Sequence, residues 1–293
     1  MQLSISHRTT YRYARPVNLL PHRMMLCPRG QYDLRLMATF LTCSPSAHIE
    51  WTQDVFGNLI ATATFPDMAD TLIIDSRITV DQSATDWPVF RIAPSAHSYP
   101  FSYSDDDAAD LGSLRQPNHH DEGGMLAGWL ARFRSGGPTD TLTLLKDINA
   151  AVHGGFAYRT REEEGTQPPS ETLRLASGSC RDLATLFIEA VRLLGLGARA
   201  VSGYVYDPVA DETGGDQHGS THAWAEVYLP CAGWIAFDPT HGRVGSANLI
   251  QVAVARDIGQ IAPVEGSYTG APEDFTDMRV EVTITARRDR KAA

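Results

Sequence analysis

The sequence predicts an α+β protein. An N-terminal antiparallel β-sandwich-like domain covers residues 1–82, a connecting segment 83–124, and a helix-plus-antiparallel-sheet domain 125–293. Three observations lead there. Period-two alternation of apolar and polar residues dominates the first 82 positions. From Met125 a helical periodicity replaces it, and beyond the last helix strand follows strand without helical crossovers, which excludes a doubly wound parallel sheet. A chain of 293 residues is long enough to bury two cores.

The first strand comes from Leu3, Ile5, His7, Thr9, Tyr11 and Tyr13, which share one face, with Gln2, Ser4, Ser6, Arg8, Thr10 and Arg12 on the other. Leu34, Leu36, Ala38 and Phe40 repeat the alternation. A hairpin from about Ile49 to Phe65 is expected around the turn-like Phe56-Gly57-Asn58, and Leu72 to Val80 closes the set. Between Gln82 and Gly124 the periodicity fades. There Ser104 caps a short helix whose first turn carries Asp105, Asp106 and Asp107, where carboxylates meet the positive end of the helix dipole. The acidic run is a poor calcium loop, because an EF-hand needs glycine at its sixth position and Asp110 stands there.

Met125 to Phe133 reads as an amphipathic helix. Leu142, Leu145, Ile148 and Val152 mark another, opened by the cap candidates Thr139 and Asp140 and ended by Gly154-Gly155. A short strand at Phe156–Arg159 and a Gly/Gln/Pro loop at 165–169 follow. Next come a helix at 180–194 and strands at 198–207, 222–229, 234–238 and near 248–255, with a final strand over Met278–Thr285.

Composition excludes several classes. Hydrophobic residues at 43% and charged residues at 20% are those of a folded globular chain. A net charge of −10 speaks against nucleic acid as a partner and against anionic membranes. The most apolar long window, Leu183 to Tyr206, is broken by Glu189, Arg192 and Arg199, so it cannot span a bilayer. The alternating N-terminus is a poor secretory signal, and with unpaired cysteines the expected location is cytoplasmic. Four cysteines without a C-x-x-C pair favour neither a disulfide scaffold nor structural zinc. No cofactor or metal is expected, and oligomeric state is left open.

One cysteine stands in a special place. Ser177-Gly178-Ser179-Cys180-Arg181-Asp182 is a glycine turn running straight into the apolar helix of Leu183, Leu186, Phe187, Ala190, Val191 and Leu194. At a helix N-terminus unpaired N–H groups and the dipole favour thiolate over thiol and can serve as oxyanion donors. The plainer alternative is a small buried residue. A base for it lies downstream. In Thr221 to Leu229, Ala223, Ala225, Val227 and Leu229 form a core face and leave His222, Trp224, Glu226 and Tyr228 on the other. Across the turn at Pro230 to Gly233, Ile235 and Phe237 must join the core face, which puts Trp234, Ala236 and Asp238 with His222. Paired positions in an antiparallel hairpin sum to a constant, and matching these faces demands an even one, as in 229 with 233 or 230 with 234. Asp238 can then reach His222 and set its tautomer.

Each residue has a bland reading too: an interior histidine, or an Asp-Pro turn. His218 and His222 at a spacing of four on an extended segment stand about 13 Å apart, too far for one metal. His119-His120 reads as a solvated pair. Together the order Cys, His, Asp supports nucleophile, base and orienting acid.

These residues resemble the transglutaminase-like superfamily, in particular bacterial transglutaminase-like proteins with an N-terminal β domain. The matching blocks are Gly165-Thr166-Gln167, Pro169 to Leu173, Gly178 to Asp182, Val201-Ser202-Gly203-Tyr204, Thr221 to Leu229, and Gly233-Trp234 to Asp238-Pro239-Thr240. His7, Pro16-Val17 and Phe56-Gly57-Asn58 resemble the family's N-terminal region. The resemblance implies a papain-like helix on an antiparallel sheet, with Cys180 as nucleophile, His222 as base and acid, and Asp238 orienting His222. Cys231 departs from it, in a turn where relatives often carry a small residue such as glycine.

The expected chemistry is acyl transfer on a peptide or protein amide, with hydrolysis favoured over amine transfer and a catalytically silent binding module as the rival class. Tyr158 is a candidate oxyanion donor or simply packs beside Phe156. Trp224 and Trp234 are read as walls of the cleft. Arg181 and Asp182 position the first helical turn or are solvated.

Overall fold

A computed structural model describes residues 1–85, 88–134, 136–161, 165–208 and 219–287. His218 lies outside them. The N-terminal layer pairs β1 (Gln2–Leu19), β3 (Leu34–Ser44) and β6 (Ala69–Gln82) in one antiparallel sheet. A second sheet holds β2 (His22–Met24), β5 (Leu59–Thr64) and β4 (His48–Gln53), in that order. The alternation read in β1 holds: Leu3, Ile5, His7, Thr9 and Tyr13 are buried. In β3 it does not. A register shift between Leu36 and Ala38 inserts a bulge, so Phe40 turns outward and is 67% exposed. One extra residue in a strand exchanges its faces, and nothing in the alternation announced it.

The helices are α1 (Asp105–Leu111), α2 (Met125–Ala131), α3 (Thr141–Gly155), α4 (Pro169–Leu175) and α5 (Cys180–Leu193). Ser104 caps α1 by accepting from Asp107 N, and Asp140 caps α3 by accepting from Thr143 N at 2.7 Å. Helix α4 replaces the end of the expected loop at 165–169: Pro169 at its first turn is preset for helical φ, and Glu171 sits near the positive dipole end. Helix α5 is buried from Asp182 to Arg192 and carries an internal Glu189–Arg192 ion pair at 2.8 Å. Glu189 also receives the backbone N–H groups of Asn118 and His119, and the Nε2 of His119 is buried, so this histidine is not the solvated residue expected.

Against α5 lies an antiparallel sheet of β7 (Ala198–Tyr206), β8 (Gly219–Leu229), β9 (Gly233–Asp238) and β10 (Leu249–Ala255), ordered β9-β8-β7-β10 with the short strand Arg243–Val244 outside β9. Phe187 of α5 stacks on Phe237 of β9, ring centroids 5.3 Å apart. The β8–β9 hairpin pairs Leu229 with Gly233, Val227 with Ile235 and Ala225 with Phe237, the even register with a three-residue connection. Cys231 in that connection takes φ 66°, the left-handed region where glycine is the easiest residue.

The final strand changes the domain plan. β11 (Phe275–Arg287) pairs with β1 along its length, from Gln2–Arg287 to Tyr13–Phe275, and so belongs to the N-terminal sheet and not to the second domain. Val264–Glu265 likewise pairs with β2. The two layers share one core: Leu3, Ile5, Ile78 and Val80 belong to the same buried cluster as Leu145, Phe187 and Phe237. Two polar ties reinforce it. His7 meets the Tyr204 hydroxyl at 2.9 Å. Asn58, at the tip of the β4–β5 turn, donates to Val254 O at 2.7 Å and accepts from Val254 N at 2.9 Å. Among the described residues no helix is long and apolar enough to cross a membrane.

Candidate active site

Cys180 is the first residue of α5, placed there by a tight turn. The buried Asp182 accepts from Ser179 N and Ser179 Oγ, both at 2.8 Å, and from Gln167 N at 2.7 Å. Its other oxygen bond comes from Arg161 at 2.8 Å. Of the two readings of Asp182, positioning is the one its environment supports. Gly178 is required beside it, because a Cβ there would stand 2.7 Å from the Cβ of Asp182.

His222 on β8 and Asp238 at the end of β9 meet as the hairpin register allows: Nε2–H donates to Asp238 Oδ2 at 2.9 Å. Both are buried. That leaves Nδ1 of the imidazole for Cys180, with which His222 is hydrogen-bonded, and Ala223 N–H donates to the same sulfur. Burial pushes the thiol up. The hydrogen bond and charge of His222, the Ala223 N–H and the Arg181 guanidinium outweigh it and hold Cys180 below its ordinary value. Burial pulls His222 down, yet hydrogen bonds and charges from Asp238 and Cys180 raise it to about 9. Asp238, although burial disfavours its charge, is kept well below the usual carboxylate range by His222 and His241. The consistent state is a thiolate–imidazolium pair backed by a carboxylate.

Tyr158 lies beside this pair. It pairs in parallel with Gly178, two residues before the cysteine, and is 55% exposed, with its phenol raised by burial and then by the Cys180 charge. The two tryptophans do not form the expected cleft walls. Trp224 is 1% exposed, sealed among Val201, Ala236, Leu249 and Val254, and stacks behind His222 with centroids 6.0 Å apart. Trp234 pairs with Tyr228, six residues along the strand from His222 and so about 20 Å away, where Arg199 covers its ring at 4.2 Å. Parity carries no distance along the strand, which displaces Trp234, and no account of the layer that covers a face, which seals Trp224.

The sequence reading missed His241. Its Nδ1–H donates to Asp238 Oδ2 at 2.7 Å, and its ring sits 5.0 Å from that of His222. His222, Asp238 and His241 bring three potential ligand atoms within 4.8 Å, but a cation there would have to replace both hydrogen bonds.

Residues 3–81 match the bacterial transglutaminase-like N-terminal region, and residues 129–239 match the transglutaminase-like superfamily. A protein of Mycobacterium tuberculosis is 28% identical over 293 residues, spanning 95% of this chain and 91% of its own. One of Mycobacterium leprae is 33% identical over 116 residues, 40% of this chain and 41% of its own. A crystal structure from Cytophaga hutchinsonii, provisionally described as a cysteine protease, aligns with a TM-score of 0.72 at 19% identity. The alignment covers 99% of this chain and 92% of the other, a likeness of fold.

Proposed function

The chain belongs to the transglutaminase-like superfamily, with the bacterial N-terminal region ahead of that core, and from this premise we propose that it is a cysteine-dependent hydrolase of peptide or protein amides. The reading rests on one observation above the others: a cysteine at a helix N-terminus is hydrogen-bonded to a buried histidine whose second nitrogen meets a buried aspartate at 2.9 Å.

In the proposed reaction the Cys180 thiolate attacks the amide carbonyl and forms the C–S bond. The oxyanion faces the first-turn N–H groups of α5, which have no intrahelical acceptor, and the Tyr158 hydroxyl. His222 gives its Nδ1 proton to the departing amine as the C–N bond breaks. Water then attacks the thioester with His222 as base, releasing the acid and restoring the thiolate. Asp238 holds the imidazole so that the thiol-facing nitrogen is the one that exchanges the proton.

The test is incubation with a peptide library and a labelled primary amine, with Cys180→Ala as control. Hydrolysis that disappears in the variant supports the proposal. Amine incorporation exceeding hydrolysis moves the assignment to a cross-linking transglutaminase. Neither activity, with Cys180 unreactive, leaves a binding module that keeps the fold.

A further inference from the structure

We propose that His241 is a positioning residue for the Cys180–His222 pair, acting through Asp238. The inference rests on the enzymatic reading above and deepens it. The Asp238 carboxylate receives four donors: His222 Nε2–H and His241 Nδ1–H both reach Oδ2, at 2.9 and 2.7 Å, and the backbone N–H groups of Thr240 and His241 reach Oδ1, at 3.0 and 3.3 Å. A carboxylate oxygen offers two lone-pair directions. At Oδ2 one is spent on each histidine, so the carboxylate cannot rotate away from His222 without breaking the bond to His241.

The exposure pattern supports the same role. The Asp238 side chain is 2% exposed and that of His241 40%, so the His241 ring stands between the carboxylate and solvent. Its own position is fixed from behind. His153 of α3 meets Thr240 O at 2.8 Å, and a Cβ on Gly242 would stand 2.9 Å from the His153 ring, so the turn after Asp238 is clamped against the helix. The titratable groups facing His241 are Asp238 and His222 on the sheet. His153 comes from the helix packed on the turn, and Arg243 is paired across from Asp238.

The test uses the full chain and the rate of Cys180 alkylation by iodoacetamide as a function of pH, with the label located by peptide mapping. His241→Ala is expected to slow alkylation at neutral pH roughly ten- to a hundred-fold, the worth of one hydrogen bond to a charged group. His241→Asn, whose amide N–H can take the place of Nδ1–H, is expected to recover most of that rate. In an Asp238→Asn background the His241→Ala change is expected to add nothing, because it acts only through that carboxylate. Wild-type rates in His241→Ala, or equal losses in both backgrounds, overturn the proposal. If His241→Ala does not fold, His241→Asn and His241→Gln decide: slow alkylation in both while folded overturns it. An unreactive Cys180 in the wild type instead refutes the enzymatic reading itself, so the two failures are distinguishable.

Discussion

Replacing Asn58 with alanine tests whether the N-terminal layer supports the sheet that carries His222. Asn58 is fully buried, and its amide makes a two-way bond with the Val254 backbone, donating at 2.7 Å and accepting at 2.9 Å, while also donating to Asp54 at 2.7 Å. Alanine leaves the N–H and C=O of Val254 buried without partners. Each orphaned group costs about 1–3 kcal/mol, so the loss is about 2–6 kcal/mol, a large part of a typical domain stability of roughly 5–15 kcal/mol. Urea unfolding followed by tryptophan fluorescence measures it, with the slope unchanged if the two layers still unfold together. Asn58→Asp should lose at least as much, because it sets a carboxylate against both Val254 O and the Asp54 carboxylate. A loss below about 1 kcal/mol for Asn58→Ala would refute the reasoning, since it would mean that water satisfies Val254 and that the turn tip is not a structural tie.

His222→Ala should lower Cys180 alkylation at pH 7 at least ~30-fold, because an unassisted thiol near ~8.5 is only a few per cent ionised there; an unchanged rate would contradict the pairing. In the wild type, amide hydrolysis should fall as pH rises through about 9, where His222 loses the proton the leaving amine needs, while alkylation of Cys180 persists. His7, 1% exposed, is lowered by burial to about 4, with Asp75 opposing, against 6.5 for the free side chain. Its folded pKa lies below the unfolded one, so its contribution is complete above about 6.5 and is lost as pH falls towards about 4. That loss is a few kcal/mol that His7→Gln should not show in pH-dependent unfolding. Gly203→Ala should destabilise strongly, because a Cβ there overlaps the Ile250 carbonyl oxygen and presses on Trp224 behind His222; a soluble variant unfolding at the wild-type temperature would count against it.

Much of the site was legible because strand arithmetic is exact in parity. Ile235 and Phe237 had to join the core, so Asp238 had to share a face with His222, and the observed Leu229–Gly233 register is one of the even ones that this allows. The capped helix at Cys180 was legible from glycine followed by a helical apolar stripe. Parity says nothing about position along a strand, which is why Trp234 was placed with His222 although it sits at the far end of the hairpin. His241 was hidden because its role depends on the turn Asp238-Pro239-Thr240-His241 folding back onto its own aspartate, a geometry with no apolar pattern to mark it. The partner of β11 was hidden for a different reason. Its alternation identifies a strand, but pairing across almost the whole chain leaves no local trace.

That pairing has a consequence for how the protein is made. β1 leaves the ribosome well before β11, which completes its outer edge and follows roughly 270 residues later. At elongation rates of about 5–20 residues per second, β1 waits on the order of 10–50 seconds for that neighbour. During this interval the hydrogen-bonding edge of an eighteen-residue strand is open to any extended segment that passes. The N-terminal layer cannot finish folding as an early, independent unit during translation. Its sheet is closed only by a strand that emerges after the whole helix-and-sheet layer, so completion of the scaffold and completion of the layer it supports become a single late event.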